Sequence, residues 1–291
     1  TVECFDKVKK DCLKFIKSQE TKADKFKNKE RMIKSFLIPL CFWISKKAYK
    51  KRPYFVGLAG GQGTGKTTIS SLIKIILIKY FKLKVFRISI DDFYKTRKER
   101  IGLSKRIHPM LLTRGVPGTH DINMMLSFFK KVKGEKFKKL KLPTFNKAID
   151  DRFSKNRWYN LKNKPDVIIF EGWCVGAKSE KNNTLKKTIN SMEKAKDQKQ
   201  IWRKYVNDLI YLKAKNFNLL QKWRLKQERK LWLSSKRKSN LKIMSKGDVL
   251  NFMQTYQRIT QNMFRYMPKY ASIILNLNSN HQIKSAVYKK K

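Results

Sequence analysis

Residues 54–68, YFVGLAGGQGTGKTT, constrain this chain more than any other stretch. The apolar run 54–59 reads as a buried parallel strand, and it leads without a break into Gly60, Gly61, Gln62, Gly63, Thr64, Gly65, Lys66 and Thr67. That octet satisfies G-x-x-x-x-G-K-[ST] in full. Phosphate oxygens need several backbone N–H groups aimed at one point, and glycine permits the tight turn that aims them. Apolar residues then recur at helical spacing, at Ile69, Leu72, Ile73, Ile76, Leu77 and Tyr80, so a helix is expected to open near Lys66. Its positive end adds to the anion site. Lys66 is expected to reach the β and γ phosphates of a nucleotide and Thr67 to offer a hydroxyl to Mg²⁺, with Thr68 in the same cradle. A merely structural glycine turn is the competing reading. The strand before the loop and the helix after it argue against that.

A second apolar run, 83–90, closes on Asp91 and Asp92, with Phe93 and Tyr94 following. Acids just past the carboxyl end of a parallel strand sit where open α/β sheets bind ligands. This chain has 70 Lys plus Arg against 21 Asp plus Glu, so an acid pair beside a phosphate loop stands out from its background. A further buried strand is expected at 167–170, ending in Glu171, where a carboxylate would reach Mg²⁺ or its water shell. Between these strands, residues 95–120 are polar without a period and read as a long ordered loop, which carries Arg114 and ends at His120 and Asp121. Structureless loops of that length are uncommon unless functional. Thr119 or Asp121 is expected to cap a helix through Met124, Met125, Phe128 and Phe129. Residues 142–152 form a second polar, ordered-looking loop with Lys147 and Arg152.

The remainder reads as support. Residues 3–50 show amphipathic helical spacing and form an N-terminal cap, and the apolar piece at 36–44 falls well short of the roughly 20 residues that span a bilayer. Residues 176–200 are polar and expected to be mobile. A short strand is expected within 208–214, helices over 216–232 and 246–267, a last strand at 271–277, and then a basic, poorly ordered tail. The expected division is 1–52 helical cap, 53–282 core and 283–291 tail. The formal charge of +49 favours polyanion adsorption. Lysines are nevertheless spread over linkers and outer helix faces, which fits a compositional bias better than a selective nucleic-acid or membrane surface. Cys4, Cys12, Cys41 and Cys174 have neither metal nor disulfide spacing, as expected of a reduced cytoplasmic protein.

Taken together, GGQGTGKTT, SIDDFYKT, LLTRGVPGTHD, LPTFNKAIDDR, IIFEGWCVG, WRKYVN, WRLKQE and MSKGDVLNFMQTYQRIT run in one order through residues 36–282. In this the chain resembles the glycerate kinases of the plant and fungal type, relatives of pantothenate kinase, uridine kinase and phosphoribulokinase among P-loop kinases. The resemblance implies a three-layer α/β/α P-loop NTPase fold on a parallel sheet, with added N- and C-terminal helices. It implies ATP and Mg²⁺, a catalytic Asp91 near the attacking hydroxyl, Glu171 beside Mg²⁺ and the transferred phosphoryl, and Arg224 approaching the phosphates. The family carries a further helix after WRKYVN, whereas Asn207 and Asp208 here run almost directly into Leu209.

The reaction class follows from the parts: a bound triphosphate and two acids at neighbouring strand ends make a small-molecule kinase. Glycerate would bring a carboxylate that suits the planar fork of arginine. Arg114, Arg152 and Lys147 are the cationic candidates, with Asp92, Tyr94, His120 and Asp121 as further substrate-side residues. Another small alcohol such as pantothenate or uridine, or a nucleic-acid-associated ATPase, is the alternative. A monomer is expected, with no specific nucleic-acid and no membrane partner.

Overall fold

The computed structural model describes residues 1–21, 24–178, 206–234 and 244–289. Most of the polar stretch 176–200, the first four residues of the WRKYVN motif and most of the basic linker after 234 lie outside the described residues. Strand β1 (Tyr54–Gly60) leads through the glycine loop into helix α3 (Lys66–Lys79), as the sequence pattern requires. Around it, β2 (Val85–Ser89), β7 (Val167–Gly172), β8 (Asp208–Lys213), β9 (Ile273–Leu277) and β10 (Ile283–Tyr288) complete a sheet in the order β10-β9-β8-β1-β7-β2, while β3 (Leu140–Leu142) with β6 (Tyr159–Leu161), and β4 (Phe145–Asn146) with β5 (Asp151–Arg152), form two separate antiparallel pairs. Every pairing in it is parallel except that of β9 with β10. The fold class is therefore the expected mostly parallel α/β/α sandwich. β1 sits between β7 and β8, so the loop after it lies over the middle of the carboxyl edge.

Alternation along β1 divides the core in two, because successive strand residues face opposite sides of a sheet. Tyr54, Val56 and Leu58 pack on the side of α3, whose Leu72, Ile73, Ile76 and Leu77 are fully buried. At about 1.5–3 kcal/mol for each fully buried side chain, that stripe alone holds α3 to the sheet. The N-terminal cap joins the same core. Helix α1 (Val2–Gln19) presents Phe5, Val8, Cys12 and Ile16, and α2 (Ile38–Lys50), reached through a π-helical turn at Met32–Leu37, presents Leu40, Cys41 and Ile44. Phe55 and Ala59 face the other side, against Met125, Phe128 and Phe129 of α5 (Ile122–Lys133) and Tyr256, Met263 and Met267 of α7 (Lys246–Tyr270). Lys47 on α2 reaches Asp208 at the start of β8 at 2.8 Å, and Tyr54 and Ser272 donate hydroxyl hydrogen bonds to the same buried carboxylate.

Two expectations need correction. The stretch 95–120 is not one ordered loop: it holds α4 (Arg97–Arg106) and a 3-10 turn at Pro109–Leu112. That helix has no apolar stripe. It is begun by a capping box of Thr96 with Glu99, and it is anchored by Arg100, which is fully buried with its guanidinium on the carbonyls of Lys95, Leu112 and Asp150. Likewise, the segment from 283 is not a loose tail but the edge strand β10, whose single buried residue is Ile283. Its exposed Lys284 suits an edge, where charge discourages pairing with another chain. The short strand expected within 208–214 is present as β8. Among the described residues no helix is long and apolar enough to cross a membrane.

Candidate active site

The phosphate loop is shaped by backbone conformations that side chains rarely adopt. Gly63 and Gly65 have φ of 78° and 81°, and a Cβ on Gly63 would stand 2.7 Å from Cβ of Trp223 on α6 (Phe217–Ser234). The loop thus needs glycine both to turn and to lie flat under α6. Within it, Lys66 Nζ donates to the Gly61 carbonyl at 2.9 Å and Thr64 Oγ1 to the same oxygen at 2.8 Å. Burial lowers the Lys66 pKa, against the opposing pull of Glu171 and Asp91, so those two carboxylates lie within electrostatic reach of its ammonium.

Glu171 ends β7 with its side chain almost wholly buried, receiving Thr67 Oγ1 at 3.1 Å and Arg87 of β2 at 3.3 Å. Burial raises its pKa, with Lys66 pulling the other way. A magnesium ion prefers a few hard oxygen donors beside water and phosphate. The convergence of the Thr67 hydroxyl on the Glu171 carboxylate provides such a pair. Among the described residues no three His, Cys, Asp or Glu side chains cluster as a cage for a metal.

Beyond β2, Ser89 caps a 3-10 turn over Ile90–Phe93 that presents Asp91 and Asp92. Asp91 accepts from Tyr94 Oη at 2.8 Å and Lys147 Nζ at 2.7 Å. Burial works against its charge, yet Lys147 and Tyr94 hold its pKa below the usual carboxylate range. Asp92 turns to the backbone instead, accepting from Ser89 N–H at 3.2 Å and Phe145 N–H at 3.5 Å, and burial pushes its pKa up to about 6. Tyr94 stacks on His120 at 4.6 Å between ring centroids, and burial takes that imidazole down to about 4. Asp121 caps α5 through the Met124 N–H at 3.0 Å and receives Arg152 at 3.1 Å, while Arg152 Nε bonds the Tyr94 carbonyl at 2.6 Å.

Arg114 pairs with Asp150, and its backbone carbonyl accepts from Tyr256 Oη at 2.9 Å. Its loop is pinned further by Trp173, whose indole N–H donates to the Gly115 carbonyl at 2.9 Å. The structure therefore gathers Lys66, Thr67, Asp91, Glu171, Tyr94 and Lys147 at the carboxyl edge, with Arg114 joined to them through the 147–150 turn. Asp92, Asp121 and Arg152, also read as substrate-side residues, make hydrogen bonds within the protein in this arrangement. Arg224 forms an ion pair with Glu228 at 2.8 Å on the helix that covers the loop.

Several contributors escaped the sequence reading: Arg87 on Glu171, Asp150 on Arg114, Tyr256, and a wall formed by Trp223 and His281. These last two rings stack at 4.0 Å, and Trp223 Nε1 donates to the Ser279 carbonyl at 3.0 Å. They line a cavity of about 990 Å³ that also touches Gly63, Gly65 and Thr68 at the mouth of the phosphate loop. The helix over 216–232 was expected, but no spacing in it showed that Trp223 would stack on His281.

No family model matches the chain. Over 252 residues it is 29% identical to an uncharacterised kinase, mug58, of Schizosaccharomyces pombe, covering 78% of this chain and 83% of that protein. It is 28% identical over 238 residues to the chloroplastic D-glycerate 3-kinase of Arabidopsis thaliana, covering 77% of this chain and 48% of that protein, and so spans about half of that relative's length. In structure it is similar to a D-glycerate 3-kinase from Cryptococcus neoformans, with a TM-score of 0.73, 19% identity and coverage of 88% and 99% of the two chains. The fold is that of a P-loop kinase, of the kind shared by glycerate, pantothenate and uridine kinases.

Proposed function

We propose that this protein is an ATP-dependent kinase that transfers the γ-phosphoryl group to a hydroxyl of D-glycerate, giving 3-phosphoglycerate. One observation carries the reading: Lys66, Thr67, Asp91 and Glu171, drawn from three separate strand ends, converge on one rim of the sheet. Phosphoryl transfer asks the protein mainly for positioning and charge stabilisation, which such a rim supplies. The backbone N–H groups of the glycine loop and the N-terminus of α3 take the phosphates. Lys66 leaves the Gly61 carbonyl for the β and γ oxygens, and the ring wall of Trp223 and His281 takes the nucleoside end in the adjoining cavity. Thr67 and Glu171 would hold Mg²⁺, which when bound neutralises charge on the phosphates.

Asp91 is the proton acceptor. Tyr94 and Lys147 fix its two oxygens and keep it ionised, so it can orient the acceptor hydroxyl and take the proton late. The oxygen of the acceptor forms its bond to the γ phosphorus as the bond to the β-phosphate oxygen breaks, and ADP departs. Arg114 supplies the fork for the acceptor carboxylate. Similarity to the Arabidopsis and Cryptococcus enzymes supports glycerate as that acceptor.

An ATP-consumption screen over D-glycerate, pantothenate and uridine, with product identification, tests this. Phosphoglycerate should form with the natural chain and be lost in Lys66→Ala at unchanged fold. Turnover at the natural rate by folded Lys66→Ala would remove the phosphate loop from catalysis, and product from pantothenate or uridine alone would change the acceptor.

A further inference from the structure

The hairpin of β4 (Phe145–Asn146) and β5 (Asp151–Arg152) carries opposite charges at the two ends of its 147–150 turn. Lys147 gives its ammonium to Asp91 at 2.7 Å. Asp150, in a left-handed conformation at φ 57°, gives one carboxylate oxygen to Arg114 and the other to Arg100 at 3.0 Å. One turn thus touches both poles of the acceptor side, the proton acceptor and the arginine fork.

The hairpin does not depend on the Asp150 carboxylate for its attachment. Arg100 also holds the Asp150 carbonyl at 2.6 Å, Arg97 N–H donates to Asp151 at 3.1 Å, and Arg152 bonds the Tyr94 carbonyl at 2.6 Å. The Arg114–Asp150 pair is partly solvated, with side-chain exposures of 30% and 33%. An ion pair in that setting is weak enough to be exchanged for another carboxylate. A small hydroxy acid brings that carboxylate, together with a hydroxyl for Asp91.

We propose that Asp150 is an internal competitor for the acceptor: its carboxylate holds the Arg114 fork that the carboxylate of a small hydroxy acid takes, and acceptor binding releases the 147–150 turn from Arg114. The inference rests on the kinase reading above and deepens it. It makes Asp150 a determinant of acceptor class. An anionic alcohol replaces the charge that Arg114 gives up, whereas a neutral alcohol leaves Asp150 in place. Apparent acceptor affinity is then the intrinsic affinity reduced by the fraction of molecules whose fork is released.

Calorimetric titration of D-glycerate, and of glycerol as a neutral probe, into the natural chain and Asp150→Asn tests the competition. Removing the competing charge should tighten D-glycerate by about three- to tenfold and leave glycerol unchanged. Weaker D-glycerate binding by folded Asp150→Asn would make Asp150 a brace for Arg114 and overturn the proposal. Since Arg100 loses a counter-charge in that variant, hydrogen exchange on the natural chain gives a second reading. The Ala148 amide, bonded to Asn146 Oδ1 at 3.0 Å, should exchange faster when D-glycerate saturates the protein. Unchanged or slowed exchange there overturns the proposal by itself. Failure of D-glycerate to bind either protein also overturns it, and the ATP-consumption screen then reports separately whether the kinase reading survives with another acceptor.

Discussion

Asp91 and Arg114 do different work in the proposed reaction, and single substitutions separate them. Asp91→Asn keeps shape and can still accept from Tyr94, but it loses the charge that Lys147 stabilises and the basicity that takes the proton. General-base groups contribute about 10²–10⁴-fold, so kcat should fall by about that factor while ATP affinity is retained. Arg114→Lys keeps a positive charge and loses the planar two-pronged donor. Its backbone carbonyl still accepts from Tyr256, so the loop should stay in place and the acceptor KM should rise much more than the ATP KM. Interactions made equally in the ground and transition states leave kcat alone, which is what distinguishes a grip from a base. Steady-state kinetics with ATP and D-glycerate varied separately reads both. An unchanged kcat in Asp91→Asn removes it as the base, and an effect of Arg114→Lys confined to ATP moves that arginine to the nucleotide.

Between elements, the contact that sets the acceptor loop against α7 is made at a glycine. Gly115 has φ of 119°, and a Cβ there would stand 1.9 Å from Tyr256 Oη. Gly115→Ala therefore combines backbone strain of about 1–3 kcal/mol with a clash that pushes Tyr256 off the Arg114 carbonyl. A lower Tm together with a raised acceptor KM is expected. A raised KM without loss of Tm would mean that the loop adapts locally. Gly115 lies inside a motif legible in the sequence, but its partner is 141 residues away and no local pattern links them. The same distinction runs through the molecule. The strand, glycine loop and helix at 54–79 were legible because a continuous apolar run, the glycine octet and period-3.6 apolar spacing follow one another there, and the acids at strand ends were legible by position. Helix α4 was not, because its single buried residue is an arginine; the Thr96 and Glu99 capping box was the available signal. Edge strand β10 buries only Ile283, so no buried period marks it, and the lysine run that follows at 289–291 made the whole segment read as a tail. The pairs Arg87–Glu171 and Asp150–Arg114 are long-range, and tertiary contacts of that kind leave no spacing to read.

Across the whole molecule, acid stability tests how far buried groups prevail over the +49 charge. Burial lowers His120 and His281 from 6.5 to about 4, with Lys226 adding to the effect at His281. Between those values the unfolded chain binds more protons, so their contribution is complete above pH 6.5 and is lost as pH falls toward 4. At full extent it amounts to about 3 kcal/mol for the buried His120 and to less for His281, which solvent partly screens. Asp92 acts in the opposite sense: burial raises it from 3.8 to about 6, so the folded form binds its proton first and gains stability as pH falls through that range. Glu171, also raised by burial, acts with Asp92, and the loss from the two histidines is expected to prevail between pH 6.5 and 4. The cationic excess also destabilises the compact state, since protonating carboxylates adds to self-repulsion. Salt separates the two causes. At 0.1 M the screening length is about 10 Å, so added salt weakens repulsion among exposed lysines and barely alters the cost of charging a buried imidazole. Urea unfolding at several pH values should therefore show higher stability in about 0.5 M NaCl throughout, with the drop below pH 6.5 retained. A pH profile that salt flattens would assign the acid loss to the charge excess. A profile flat at both salt concentrations would mean that His120 and His281 reach water in the folded protein.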